Sequence, residues 1–366
     1  MPTLRLLHRW AGGLIGLFLA VLGLSGALLV HKDAYLRAVL PHAADPQVQD
    51  VESIAAAAEK IFAAPDAPRS IILASERLGL HRLNYGDGDR GAYADQTGEI
   101  VATWTAKWER PEIWLFDLHH HLLTGDAGEL AAGIMALVGL GFVVTGVILW
   151  WPARRLFALR AWPANMSRNA VVRQHRDLGV VAAPLLFVSL LTGVMMTLPA
   201  VEDVLLAPFT SPAAMAAASK PPIEKGGPRG ADLDVAALLS AARAKHPDGE
   251  LRIISLSATP GGLISLRMRQ QAEWLPNGRT MFWFDPADGR LVASRDAQAL
   301  PLGLRIANAE YPIHAAKVGG LPYRLVMTAS GLTLALLGSL AVWSFWAGPK
   351  TQKRKRPKGA PTTKIA

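Results

Sequence analysis

The chain has 366 residues, of which 51% are hydrophobic, and it contains no cysteine. The missing cysteine excludes disulfides, thiolate zinc sites and iron–sulfur clusters. The formal net charge is +9 at pH 7, and the basic residues are concentrated in three segments without Asp or Glu: residues 1–9, 152–176 and 348–366. We interpret this charge as a signal of membrane topology and of contact with anionic lipid, and we expect no nucleic-acid partner.

Four segments are long and apolar enough to cross a bilayer, which takes about 20 mainly apolar residues. The first is too long for the apolar part of a signal peptide, and no small-residue cleavage site follows it. The apolar runs are residues 10–30, 130–151, 178–198 and 325–346. With their flanks they predict transmembrane helices over residues 1–31, 128–151, 177–199 and 324–347.

The basic segments also predict the orientation, because short basic loops stay in the cytoplasm. Both termini, the loop 152–176 and the tail 348–366 are expected to face the cytoplasm. The two long stretches between spans, 32–127 and 200–323, are then expected to lie outside as separate domains.

The chain repeats itself. Residues from Leu7 read LHRWAGGLIGLFLAVLGLSG, and residues from Gln174 read QHRDLGVVAAPLLFVSLLTG, with a Ser or Thr before the last glycine of each. Each outside stretch starts with an amphipathic helix, DVESIAAAAEKIFAA or DVAALLSAARAKH, and continues with about three strands. These matches predict a tandem parallel repeat whose halves are related by an axis along the membrane normal.

The strand pairs YADQTGEIVA and WFDPADGRLVA resemble PepSY domains, and LHRWAGG, DLHHHLLTG, QHRDLG and PIHAAKVGG resemble motifs of the PepSY-associated transmembrane (PepSY_TM) family. The resemblance implies an α-helical membrane protein with four transmembrane helices and two α+β periplasmic PepSY-like domains. It also implies a place in the bacterial inner membrane. Some members of the family are haem proteins that reduce ferric siderophores.

Four histidines stand at comparable membrane boundaries: His8 and His175 at the inner face, His119 and His314 at the outer face. Haem b needs an axial nitrogen on each side and small residues beside the porphyrin. Helix positions i+4 and i+8 supply such residues after His8 (Gly12, Gly16) and after His175 (Gly179, Ala183). We predict two haem b groups with these four histidines as axial ligands of the haem iron. The alternative is that interfacial histidines reach toward water and that small residues pack helices closely.

Three histidines stand in a row at His119, His120 and His121, and the resemblance favours the first as the ligand. Because successive helical positions point about 100° apart, the three cannot all address one iron. His120, His121 and His31 remain reserve ligands, and a zinc site of His119, His121 and His314 is a further alternative. The histidines at positions 42, 81 and 246 are interpreted as surface residues.

The predicted function is that of a di-haem electron-transfer protein that reduces a ferric siderophore or another ferric chelate at the periplasmic face. No nucleotide-binding motif is present, so quinol or another reductase is the expected electron donor. One alternative is a non-enzymatic PepSY module that binds or regulates a periplasmic partner. The other is a transporter subunit, which the lack of charges in the middle of the spans disfavours.

Overall fold

A computed structural model of the protein describes residues 1–346, apart from residues 87, 223–225, 228–233, 258 and 260. The predicted basic tail, 348–366, lies outside the described residues. The first half contains helices and strands in the order α1 (Pro2–Leu29), α2 (Lys32–Val39), α3 (Val51–Phe62), β1 (Ser70–Ile72), β2 (His81–Asn84), β3 (Gly91–Ala94), β4 (Ile100–Trp104), α4 (Pro111–His121) and α5 (Asp126–Trp150).

The second half follows nearly the same order. Its elements are α6 (Arg168–Thr197), α7 (Pro199–Leu206), α8 (Pro212–Ser219), α9 (Val235–Lys245), β5 (Glu250–Ser255), β6 (Ile264–Arg269), β7 (Thr280–Phe284), β8 (Leu291–Arg295), α10 (Leu302–His314) and α11 (Gly320–Trp346). Short 3-10 helices lie at Lys107–Glu109, Trp151–Leu156 and Ala297–Ala299.

Four helices among the described residues, α1, α5, α6 and α11, are long and apolar enough to cross a membrane. The helices α1 and α6 begin well before their apolar runs. A Ser167 side chain caps the start of α6 by accepting a hydrogen bond from the backbone of Ala170 at 3.3 Å. His8 and His175 consequently lie inside helices, one turn or less before the apolar residues.

The spans pair across the two halves: α1 packs mainly against α11, and α5 packs mainly against α6. Glycines let the backbones of α1 and α11 touch. A Cβ atom on Gly23 would lie 2.5 Å from the carbonyl oxygen of Gly331, and one on Gly16 would lie 2.8 Å from that of Gly338. Such contacts replace the hydrophobic effect as the force that joins helices in lipid. Gly16 therefore packs a helix, and the predicted small-residue track after His8 is wrong at that position.

One antiparallel sheet contains strands of both halves, in the order β4-β3-β2-β1-β5-β6-β7-β8. Each half supplies four strands, where the sequence predicted about three in each of two separate domains. The two halves join where β1 pairs with β5, for example Ile71 opposite Ile254. This pairing covers two apolar strand edges that would otherwise be open to other chains.

Helices α3 and α9 pack together and cover one face of the sheet. Both begin with an aspartate cap: Asp50 accepts from the Ser53 backbone at 2.9 Å and Asp234 accepts from the Ala237 backbone at 2.8 Å. Each such cap is worth about 1 kcal/mol. Beneath α3 and α9 lies a core that includes Ile71, Leu83, Leu239, Ile254, Phe282 and Phe284.

A second, smaller core forms around α2, where Leu36 packs with Leu80, Tyr93 and Trp104. Ile113 at the start of α4 packs against this core. The helix α4 is thereby held between the sheet and the spans. We call the ends of the spans that connect to the sheet the sheet side, and the ends joined by residues 151–167 the loop side.

Candidate functional site

Two of the predicted histidines meet on the sheet side. His119 lies near the end of α4 and His314 ends α10, so each half of the chain contributes one ring. Their ring centroids are 6.0 Å apart and the ring planes are inclined by 47°. The structure therefore brings together the two residues that the sequence predicted as the outer pair.

A hydroxyl group from the spans fixes the orientation of each ring. The Nδ1 atom of His119 lies 3.0 Å from Ser25 Oγ, and the Nδ1 atom of His314 lies 3.0 Å from Thr192 Oγ1. Ser25 and Thr192 are the hydroxyl residues before the repeated glycines. Each hydroxyl already donates its single proton to a carbonyl four residues earlier, at 2.7 Å in both cases.

This hydrogen bonding determines the tautomer of both rings. Since a hydroxyl that has donated its proton can only accept, the Nδ1 atoms of His119 and His314 must be the donors. His314 Nδ1 also lies 3.0 Å from the carbonyl oxygen of Ser189. Burial lowers the pKa of His119 to about 3 and lowers that of His314 as well, so both rings are neutral at pH 7. Each Nε2 atom then carries a free lone pair, the form that binds a metal.

A second pair of histidines lies near the loop side. His8 of α1 and His175 of α6 have ring centroids 6.3 Å apart, with the ring planes at 87°. His8 Nδ1 lies 2.8 Å from Thr145 Oγ1, whose proton goes to the Gly141 carbonyl at 2.7 Å. The tautomer of His8 is therefore the same as on the sheet side. His175 Nδ1 is buried and has no hydrogen-bond partner among the described residues.

The two pairs stand far apart along the same helix. Ser25, which holds His119, and His8 are both in α1, and their separation in sequence corresponds to about 25 Å at 1.5 Å per residue. The hydrocarbon core of a bilayer is about 30 Å thick. The two pairs therefore lie near opposite ends of the span.

Glycines leave the space into which the histidine rings fit. A Cβ atom on Gly26 would lie 2.9 Å from Cε1 of His119, and one on Gly193 would lie 3.3 Å from Cε1 of His314. A Cβ atom on Gly12 would meet no described atom within 4 Å, and one on Gly179 would only just reach Leu337 at 4.0 Å. Gly12 and Gly179 thus leave open space after His8 and His175.

A cavity of about 410 Å³ contains the sheet-side pair. This size lies in the range of small-molecule and cofactor sites. The part within the spans is apolar, with Leu22, Ala132, Leu186, Leu190, Met327 and Leu334 among its lining residues. The part toward the sheet is lined by the cations Lys32, Arg82 and Lys317, and by Glu112, which pairs with Arg110 at 2.9 Å.

Two of these cations have no hydrogen-bond acceptor among the described residues. Lys317 pairs with Asp33 at 2.8 Å, but Lys32 makes no hydrogen bond or ion pair within the described part of the chain. Burial lowers the pKa of Lys32 to about 8, with nearby Arg82 adding to the effect. The Arg82 Nε atom is buried and also has no hydrogen-bond partner among described residues. Buried cations without partners are costly, so this end of the cavity is suited to an anionic group.

The other histidines of the triplet, His120 and His121, hydrogen-bond with each other and with Asp117. His121 Nδ1 lies 3.1 Å from Asp117 Oδ1, and His121 Nε2 lies 3.0 Å from His120 Nδ1. The alternative zinc site of His119, His121 and His314 is not assembled, because His121 is engaged with these neighbours while His119 pairs with His314. The reserve ligand His31 donates from Nε2 to Thr328 Oγ1 at 2.8 Å, because the Thr328 proton goes to the Arg324 carbonyl, and His31 does not line the cavity.

The interpretation of His81 as a surface residue was wrong. His81 is only 2% exposed, and its Nδ1 atom accepts a hydrogen bond of 2.9 Å from the backbone of Ala74. Three further residues of the two sites, Thr145, Lys32 and Arg82, were not predicted from the sequence. Thr145 has no sequence signal, because a threonine in a span usually bonds only its own helix. The charges of Lys32 and Arg82 could have been noticed, but their position beside the cavity depends on the fold.

Four membrane spans with an α+β sheet layer on one side define a multi-pass membrane protein. More particularly, the chain belongs to the PepSY_TM family, the PepSY-associated TM region, whose family model matches residues 5–347. It is similar to Uncharacterized protein PA4219 of Pseudomonas aeruginosa, with 26% identity over 231 residues. The match covers 61% of this chain and 58% of that relative, so the chain spans less than two thirds of the relative's length.

Proposed function

We propose that this protein is an inner-membrane electron-transfer protein that binds two b-type haems and reduces a ferric siderophore or another ferric chelate. The observation that carries the proposal is the pair of inter-half histidine contacts, with ring centroids 6.3 Å apart on the loop side and 6.0 Å apart on the sheet side.

These distances suit one metal ion between two imidazoles. A metal–imidazole nitrogen bond is about 2 Å long, so two rings that face one ion through Nε2 have centroids about 6 Å apart. Three of the four rings, those of His8, His119 and His314, are held by hydroxyls that leave Nε2 free. The donor set is that of bis-histidine haem b, which supplies reversible one-electron transfer when bound.

The residues around the sheet-side pair also fit haem. The apolar wall of the cavity suits a porphyrin face and excludes water from it. Lys32 and Arg82, the two cations without acceptors, would hold the two propionates. Gly26 and Gly193 allow the rings of His119 and His314 to approach the spans closely enough to bond their hydroxyls.

Arg9 and Arg176 directly follow the loop-side histidines in sequence. They are not free to hold propionates in the way proposed for Lys32 and Arg82. The Arg9 guanidinium lies 5.4 Å from the centre of the Phe345 ring, and Arg176 pairs with buried Asp177 at 2.7 Å. We infer that these arginines chiefly anchor the helix ends at the membrane surface.

The orientation follows from charge. Positive-inside topology puts the loop side in the cytoplasm and the sheet in the periplasm. Electrons from quinol or another reductase would enter at the His8–His175 end. One electron reduces Fe³⁺ in the chelate to Fe²⁺ at the sheet side, which weakens the hold of hard oxygen ligands on the metal.

The test is a spectrum of the full-length protein purified in detergent from haem-replete cells. We expect b-type absorption bands and two haems per chain, and we expect reoxidation of the reduced protein by a ferric siderophore, with Fe²⁺ captured by a chromogenic chelator. His42→Ala, at an exposed histidine that pairs with Asp45, is the matched control and should behave as the wild type. Wild-type protein without haem bands would refute the proposal.

A further inference from the structure

The second and third histidines of the triplet form a separate cluster with a carboxylate from the next helix. His120 and His121 end α4, and Glu129 lies in the first turn of α5. One ligand atom from each residue lies within 4.8 Å of the ligand atoms of the other two. His121 Nε2 lies 3.8 Å from Glu129 Oε2, and His120 Nε2 lies 3.9 Å from Glu129 Oε1.

Neighbouring side chains hold the two histidine rings of the cluster in position. Asp117 accepts a hydrogen bond from His121 Nδ1, so the Nε2 atom of the neutral ring has the lone pair and faces the cluster. Lys107 in turn holds Asp117 at 2.7 Å. The His120 ring is stacked on Phe116, with centroids 5.4 Å apart and planes within 10°. A carboxylate that fixes the tautomer of a histidine is the usual outer partner of a metal ligand.

Three features distinguish this cluster from an incidental contact. The spacing is close to that of a metal site, because neighbouring ligands about 2.1 Å from one ion lie about 3.0–3.5 Å apart, and Glu129 lies 3.8 Å from His121 Nε2 and 3.9 Å from His120 Nε2. The ligand atoms of all three residues already lie within 4.8 Å of one another. The fold does not need these histidines, because alanines follow His314 at the two matching positions of the second half.

We propose that His120, His121 and Glu129 bind one divalent first-row transition-metal ion, with Asp117 positioning His121. Two imidazoles and one carboxylate suit Fe²⁺ and Zn²⁺, and three protein ligands leave positions open for water or for a departing chelate group.

The position of the site indicates which ion it binds in the cell. This inference rests on the proposed function. His120 lines the same cavity as His119 and His314. Fe²⁺ produced beside the sheet-side pair would therefore meet this site first. The site would hold the reduced ion after its chelate has loosened and before it is passed on.

The test measures Co²⁺ binding to the full-length protein, purified with a tag that contains no histidine, by equilibrium dialysis and by the visible d–d bands of Co²⁺. We expect one saturable ion per chain. His121→Ala and Glu129→Gln should each weaken binding at least tenfold, and Asp117→Asn should weaken it 10- to 100-fold through the loss of orientation. His42→Ala should bind as the wild type. Anaerobic competition should show that Fe²⁺ displaces Co²⁺.

Two variants distinguish a failure of the metal-site proposal from a failure of the haem proposal. His119→Ala should lose the sheet-side haem component and keep the Co²⁺ site, whereas His121→Ala should keep both haem components and lose the Co²⁺ site. Absence of saturable binding, or equal binding by wild type and by both His121→Ala and Glu129→Gln, would overturn the metal site whatever the haem content.

Discussion

The Nδ1 atom of His119 donates a hydrogen bond of 3.0 Å to Ser25 Oγ, an acceptor whose own proton is already bound by the Val21 carbonyl. The same relationship joins His314 to Thr192 in the second half. The hydroxyl residues Ser25 and Thr192 thus set the tautomer of two histidine rings that belong to helices outside the spans.

Loss of the Ser25 hydroxyl should weaken the sheet-side site. In Ser25→Ala the His119 ring loses the acceptor that fixes its orientation, and such outer partners are worth 10- to 100-fold in metal affinity. We expect reduced haem occupancy in purified protein, measured as haem absorbance per chain. Ser25→Thr is the control, because threonine does this task in the other half, and it should retain haem. Equal occupancy in Ser25→Ala and wild type would contradict the orienting role.

Replacing either member of a pair should remove the same spectral component. His119→Ala and His314→Ala should each remove the proposed sheet-side haem component, since each variant would leave only one of the two histidines that would hold the haem iron. His8→Ala should spare that component and slow its reduction from the loop side in membrane vesicles. His31→Ala should spare both components, because His31 Nε2 is occupied by Thr328. Loss of different components from His119→Ala and His314→Ala would disprove the pairing.

The contact between α1 and α11 should tolerate no side chain at Gly23. A Cβ atom there would lie 2.5 Å from the Gly331 carbonyl, so Gly23→Ala must push the helices apart. We expect a loss of about 1–3 kcal/mol, seen as a lower melting temperature in detergent. Gly12→Ala is the matched control in the same helix, because no described atom lies within 4 Å of the new Cβ. It should be neutral or slightly stabilising, and equal melting of the two variants would argue against close backbone packing.

Mild acid should lower the free energy of unfolding, because the buried His81 ring of the sheet resists protonation. Burial lowers the pKa of His81 to about 4, while the unfolded value is near 6.5. Between these values the unfolded chain binds the extra proton, so stability is complete above about pH 6.5 and falls as the pH drops toward 4. The loss approaches about 3 kcal/mol.

His81→Asn tests this acid sensitivity. The asparagine carbonyl can still accept the hydrogen bond from the Ala74 backbone, but it cannot be protonated. Melting curves of the sheet by circular dichroism should therefore show a shallower pH dependence from 6.5 to 4 in the variant. The same slope in variant and wild type would exclude His81 as the titrating group.

Charge asymmetry predicts which side of the membrane the sheet occupies. A reporter that is active only in the periplasm should work when inserted beside Gly227, in the stretch before α9, and should be inactive when inserted in the loop between α5 and α6. The reverse result at either position would invert the proposed direction of electron flow.

Much of the membrane part could be predicted from sequence, because its signals are local. The apolar runs gave the spans, and the matched spacing of His-Arg and Ser/Thr-Gly in both halves pointed to His8, His175, Ser25 and Thr192. The partners of the Ser25 and Thr192 hydroxyls could not be predicted, because His119 and His314 lie in helices that are distant in sequence.

The sheet was harder to predict. The stretch SIILASERLGLHRLN contains β1 and β2, but nothing local shows that β1 lies beside β5 of the other half. That pairing depends on both halves being folded, as does the burial of His81 at the start of β2. Gly16 illustrates the same limit inside the membrane, because a glycine suits a cofactor and a neighbouring helix equally well, and only the position of Gly338 distinguishes them.

Each histidine pair takes one ring from either half, each half's first span packs on the other half's second span, and β1 of the first half pairs with β5 of the second. An isologous homodimer would show the same pattern of contacts if its two subunits were one chain. In a homodimer every substitution appears twice. In a single chain the two halves can differ, as they do where two histidines follow His119 while two alanines follow His314. A symmetric ancestor would have had to carry such a histidine cluster on both sides of its axis or on neither.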